Sequence, residues 1–168
     1  MRPRALQHQE EVRVDLIRLW GGDSREDVGL ICDLVLRVEA EPGVIVPLEF
    51  RVDTGASWSL VPLAVAQAYG LPTADDSHDR TVLLSSATGQ REVKIRDGRI
   101  RVWWNVGRRG TPFEWPVLFV VDAPIGSQPL MGLGGVIRDC QWIFEGRAED
   151  EALFGSATFR DIRSDSSS

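Results

Sequence analysis

The sequence predicts an all-β domain with one or two short helices, and three observations carry that expectation. Glu11 to Trp20 alternates, with Val12, Val14 and Leu16 facing one way, as a half-buried strand does. Leu30 to Val38 and Val44 to Val52 are apolar and rich in β-branched residues, and Glu41-Pro42-Gly43 between them is a turn. Helix signals gather in only two places. At Pro62 to Tyr69, proline suits the first turn, alanine is abundant, and Gly70 is placed to end the helix. The other is the short segment Gly135 to Cys140.

The remaining elements follow in order. Ser59-Leu60-Val61 reads as a short buried strand, and Leu71 to Arg80 as a polar loop in which His78 is solvated. Thr81 to Leu84 and Glu92 to Arg96 are the arms of a hairpin with Ser85 to Gln90 at its tip. Arg99 to Val106 and Glu114 to Val121 are strands joined by the turn Gly107-Arg108-Arg109-Gly110. Asp122 to Gln128 is a loop, Pro129 to Leu133 a short strand that runs into Gly132, and Gln141 to Phe144 and Ala152 to Phe159 are the last strands. At 168 residues the chain is most simply one domain, spanning 11–160, with a flexible start at 1–10 and a disordered tail at 161–168.

Composition narrows the function. Nineteen basic against 25 acidic side chains leave a net charge of −6, which disfavours nucleic acid or an anionic membrane as partner. Lys94, Arg96, Arg99, Arg101, Arg108 and Arg109, interleaved with Trp103, Trp104 and Trp115, suggest nucleic acid at first sight. Their alternation with apolar residues reads more simply as a strand with one wet face and one dry face. Cys32 and Cys140 each sit in an apolar context and read as buried thiols, with a disulfide between them as the alternative. His8 and His78 lie near no second ligand or nucleophile, so neither a metal site nor a Ser/His or Cys/His centre is expected. No apolar run approaches a membrane span or a leader, which points to a cytoplasmic protein with no membrane partner.

One stretch carries chemistry. Phe50-Arg51-Val52 runs as a strand into Asp53-Thr54-Gly55-Ala56-Ser57, a carboxylate beside a glycine that lets backbone approach closely. Asp-Thr-Gly is also ordinary turn chemistry. Two carboxylates at short range cannot both ionise, so one serves as a base toward water and the other as an acid. Only one such motif occurs, so a dyad needs a second copy of the chain about a two-fold axis.

With Asp53-Thr54-Gly55-Ala56, the glycine-ended Leu130-Met131-Gly132, and Val82 to Gln90 between them in that order, the chain resembles the retropepsin-like, single-lobe aspartic peptidases, in their bacterial and cellular branch. The resemblance implies a half-barrel with a flap hairpin and a crossing glycine-ended strand. It also implies a homodimeric endopeptidase that cuts polypeptides with no metal or cofactor. Asp53 is then catalytic and Thr54, Gly55 and Ala56 support it, Thr54 by bonding across the axis. Ser85, Ser86, Ala87, Thr88 and Gly89 form the flap, and Ser57, Trp58, Leu130, Met131 and Gly132 line the substrate pocket. The last strand would lie at the dimer interface, as terminal strands do in the viral members.

Ala56 matches the single-lobe motif but differs from the two-lobed relatives, and the chain departs from the viral members' pattern at Ser57-Trp58 and at Leu133. Ala56 stands where the two-lobed relatives commonly carry a hydroxyl that can bond the carboxylate, so an optimum in mildly acidic to neutral pH is expected, and a rate maximum near pH 2 would contradict it. Ser57 and Leu133 stand where the viral enzymes place an acid and an arginine that pair near the subunit boundary, so both halves of that pair are absent together. Trp58 shapes a large apolar subsite or packs in the core. The alternative functions are a catalytically silent dimer of the same fold that binds or scaffolds polypeptides, and an Arg-rich β-barrel for an anionic ligand.

Overall fold

The computed structural model describes residues 11–19, 29–53, 55–86, 89–103, 112–134, 140–146 and 153–162. Their chain order is β1 (Glu11–Leu19), β2 (Gly29–Ile31), β3 (Asp33–Glu39), β4 (Ile45–Val52), β5 (Leu60–Pro62), α1 (Leu63–Ala68), β6 (Asp79–Ser86), β7 (Gly89–Trp103), β8 (Phe113–Val120), β9 (Leu130–Met131), β10 (Cys140–Gly146) and β11 (Leu153–Asp161). The fold is all-β with one short helix among the described residues. The second expected helix falls on residues 135–139, outside the described ones, and Cys140 already opens β10. The expected turn at 107–110 and the chain at 1–10 and 163–168 also lie outside them.

Seven strands run in the order β3-β4-β9-β5-β8-β7-β6, and a further pairing of β3 with β7 closes six of them into a ring. Closure is local, through Arg37 opposite Trp103 and Val38 opposite Val102. β6 pairs with the first half of β7, Gly89 to Arg96, and this hairpin extends from the ring that the second half of β7 closes. The ring encloses the main core, where Phe50 stacks on Trp115 at 5.3 Å between centroids and Leu34, Leu36, Val38, Ile100, Phe119 and Met131 are fully covered.

β7 replaces two expected strands. Glu92 to Arg96 and Arg99 to Val106 are parts of one 15-residue strand that passes straight through Asp97-Gly98. Gly98 serves here not as a turn residue but as a seat: a Cβ on it would stand 2.2 Å from the ring of Phe119. The strand also changes which face it buries. Val93 and Ile95 join Leu118 in a small second cluster, whereas Ile100 and Val102, on the opposite face, enter the main core. Along Arg99 to Val102 the wet and dry faces alternate as expected.

α1 starts after Pro62 and ends where Gly70 adopts a positive φ of 68°, which only glycine takes at little cost. Its buried residues are Leu63 and Ala66. A 3₁₀ turn at Asp76–His78 interrupts the expected loop. His78 is exposed but not merely solvated, since its Nδ1 lies 2.9 Å from Asp75 Oδ1.

A second sheet has the order β10-β11-β1-β2. Cys140, Ala157 and Phe159 carry it onto the main core. β11 pairs with β1 along one edge and with β10 along the other, as far as Asp161 opposite Cys140. Both edges of β11 are therefore used within one chain, so the last strand offers a partner's strand no free edge.

Candidate active site

β4 delivers Asp53, and β9 fixes it. β9 runs parallel beside β4, with Arg51 and Val52 opposite Leu130 and Met131, and antiparallel beside β5 through Leu130 and Leu60. The loop from Asp53 to Ser59 therefore spans β9 from one neighbour to the other. Main-chain hydrogen bonds hold it on both sides. Asp53 N–H donates to the Met131 carbonyl at 2.9 Å, while Leu133 and Gly134 N–H donate to the carbonyls of Ala56 and Ser57, each at 2.9 Å. Pairing these groups internally lets a loop sit against the core without orphaned donors.

Two glycines make the crossing possible. A Cβ on Gly132 would stand 2.4 Å from the Trp58 carbonyl oxygen and 2.7 Å from that of Ala56, and one on Gly134 would stand 2.2 Å from that of Ser57. These neighbours are backbone and cannot swing away. The Gly132 N–H donates to Ser59 Oγ at 3.1 Å, and Ser59 is fully buried.

The Asp53 carboxylate itself is exposed. Its Oδ1 accepts the Gly55 N–H at 2.9 Å, and Oδ2 has no hydrogen-bond partner among the described residues. A carboxylate with one oxygen steered by backbone and the other open can bind a water or share a proton with a second carboxylate. On the same hairpin Arg51 meets Asp33 in a two-pronged ion pair at 3.1 and 3.4 Å.

An apolar cavity of about 160 Å³ lies beside this loop. Leu60 and Leu130 form one side, Leu84 and Val93 of the β6–β7 hairpin another, and Arg91 and Asp122 add charge to its lining. The hairpin arms reach further than expected, because Ser85 pairs with Gln90 and Ser86 with Gly89. Only Ala87 and Thr88 remain between the arms, and they lie outside the described residues, as does Thr54.

The base of that hairpin is fastened by charge. Asp79, nearly covered, accepts from Arg96 Nε at 2.6 Å and pairs with Lys94 Nζ at 3.1 Å, and Arg96 also bonds the Ala74 carbonyl. The hydrogen bond from Arg96 is the main cause holding the Asp79 carboxyl below its ordinary range, with Lys94 adding to it and burial opposing. Outside this rung Arg80 grips Asp97 with two bonds of 2.9 Å. Arg101 pairs with Glu39 and Glu114. Much of the expected basic stripe is thus matched internally.

Of the residues expected to form the site, Asp53, Gly55, Ala56, Ser57 and Trp58 share one loop. Leu130 reaches the cavity, whereas the Met131 side chain is fully buried and offers the site its carbonyl instead. Not foreseen were Ser59, Gly134, the Asp33–Arg51 pair, and Leu60, Leu84, Val93 and Val120 at the cavity. Two signals were present. Ser59 is a lone hydroxyl opening an apolar strand, and Asp33 and Arg51 lie equally far before and after Pro42, which places them opposite each other in a hairpin.

The chain is similar to the crystal structure of a retropepsin-like aspartic protease from Rickettsia conorii, with a TM-score of 0.45 and 17% identity, covering 91% of this chain and 95% of that one. No protein-family model matches the chain. No curated protein matches it either. No helix among the described residues is long and apolar enough to cross a membrane.

Proposed function

We propose that this chain is one half of an aspartic endopeptidase, completed when two copies bring their Asp53 carboxylates together. The observation that carries the reading is the setting of Asp53: exposed, steered through Oδ1 by the Gly55 N–H, on a loop locked over β9. One carboxylate of the pair takes a proton from water as it attacks a peptide carbonyl. The other, protonated, supports the carbonyl oxygen, and the proton then passes to the leaving nitrogen. The β6–β7 hairpin covers the adjoining cavity and helps exclude bulk water from the bound polypeptide.

The test pairs wild type with Asp53→Asn, which keeps shape and removes the ionisable group. Incubated with a diverse peptide library across pH, wild type cleaves and the variant does not. Cleavage that survives the substitution sinks the reading.

A second reading, a polypeptide-binding module without turnover, is favoured by one observation. The last strand, β11, is held between β10 and β1 of its own chain, so it has no free edge to exchange with a partner. Sedimentation across concentration separates the two: the peptidase requires a dimer at concentrations where it cuts, and a strictly monomeric chain that binds peptides without cutting them supports the module.

A further inference from the structure

We propose that the cleft between Trp58 and Arg99 is a subsite for an acidic side chain of the bound polypeptide. This rests on the reading that a polypeptide lies across the Asp53 loop. The cleft, about 340 Å³, is walled by Trp58 on one side and by Asp97 to Arg99 of β7 and Pro116 to Leu118 of β8 on the other. It is tied to the site by covalent and hydrogen-bonded neighbours. Trp58 belongs to the Asp53 loop, its carbonyl packs over Gly132, and Leu118 N–H donates to the Ser59 carbonyl at 2.9 Å.

Two features single it out. Trp58 is 50% exposed, a large indole left in water although the core buries Trp115 to 2%. An indole face in a cleft offers apolar area to the stem of a ligand side chain. Arg99, exposed, has no ion-pair partner among the described residues, although the chain carries more acids than bases. Its nearest basic neighbours along β7 are matched, Lys94 and Arg96 with Asp79, and Arg101 with Glu39 and Glu114, while Arg91, farther up the strand and also without an ion pair among the described residues, lines the other cavity. The one acid in the cleft, Asp97, is already held by both prongs of Arg80. The cleft therefore presents one unmatched guanidinium beside an indole, which fits a carboxylate at the end of a short methylene stem, glutamate better than aspartate.

The experiment uses the full chain with Asp53→Asn, so that binding is read without cleavage. Labelled peptides carry one Glu walked through an otherwise fixed neutral, apolar-rich sequence, with Gln and Lys versions of each, and affinity is read by fluorescence anisotropy. At one position Glu binds about tenfold tighter than Gln, as expected for a charge-assisted pair. Arg99→Gln abolishes that preference, Arg99→Glu shifts it to Lys, and Trp58→Ala weakens binding of every version. Equal binding of Glu, Gln and Lys at all positions, or a preference untouched by Arg99→Gln, overturns the proposal. The same peptides given to wild type keep the two readings apart. Peptides bound with the acidic preference but never cut uphold the subsite and sink the peptidase, while peptides cut with no such preference do the reverse.

Discussion

The loop that carries Asp53 and the base of the β6–β7 hairpin are both anchored to the barrel, but the first is fastened by neutral groups and the second by charges. Main-chain bonds to Met131, Ala56 and Ser57, together with the buried Ser59 hydroxyl, hold the loop, and Gly132 and Gly134 leave room for it. Asp79, Arg96 and Lys94 hold the hairpin. Neutral fastening does not weaken with salt or with pH, which suits the role proposed for Asp53. Among the described residues the ion pairs of the β6–β7 hairpin gather at its base, through Asp79, Arg80, Lys94, Arg96 and Asp97.

The largest effect is expected from Gly132→Ala. A Cβ there meets immovable carbonyl oxygens, so the loop or β9 must shift, and chemical denaturation should show a loss of about 3 kcal/mol or more. Gly98→Ala applies the same steric test to β7. The obstacle is the buried Phe119 ring, so a loss of about 2 kcal/mol is expected. Pairing it with Phe119→Leu should cost less than the sum of the two single changes, because they share one clash. Full additivity would show that the ring is not the obstacle.

Ser59→Ala leaves the Gly132 N–H without its buried acceptor, and an expected loss of about 1–2 kcal/mol should be the same at low and high salt. The charged base should behave differently. The folded-state pKa of Asp79 is lowered, so its stabilising contribution is fully present above the ordinary Asp value of about 4 and is lost as pH falls through the lowered value. Hydrogen exchange should therefore show the β6 and β7 amides opening in acid while β4 and β9 stay protected. Asp79→Asn should reproduce the opening at neutral pH. If both regions open together, the two fastenings are not independent.

The smallest effect expected concerns Cys32, whose carbonyl accepts the Val52 N–H at 2.9 Å next to the Asp53 loop. Burial, helped by the neighbouring Asp33 charge, pushes its thiol up to about 11. Cys32 is a free, buried thiol, and Cys140 is buried too, as the sequence suggested. A thiol reagent at pH 8 should modify neither until the protein unfolds.

Much of this was legible in the chain because the signals are local. Alternation placed β1, the turn residues around Pro42 set the β3–β4 hairpin, and Pro62 and Gly70 bracketed α1. Asp53 and its glycine stood out because that chemistry lies within a few consecutive residues. What the sequence alone could not decide was set by contacts between distant segments. That Gly98 is a seat and not a turn depends on Phe119, twenty-one positions away in the chain. That Ser59 binds Gly132, that β7 buries different faces in its two halves, and that β11 lies inside a sheet with both edges filled all depend on which strands become neighbours. Periodicity tells a strand which face is dry, but only the closing of the barrel decides what it is dry against.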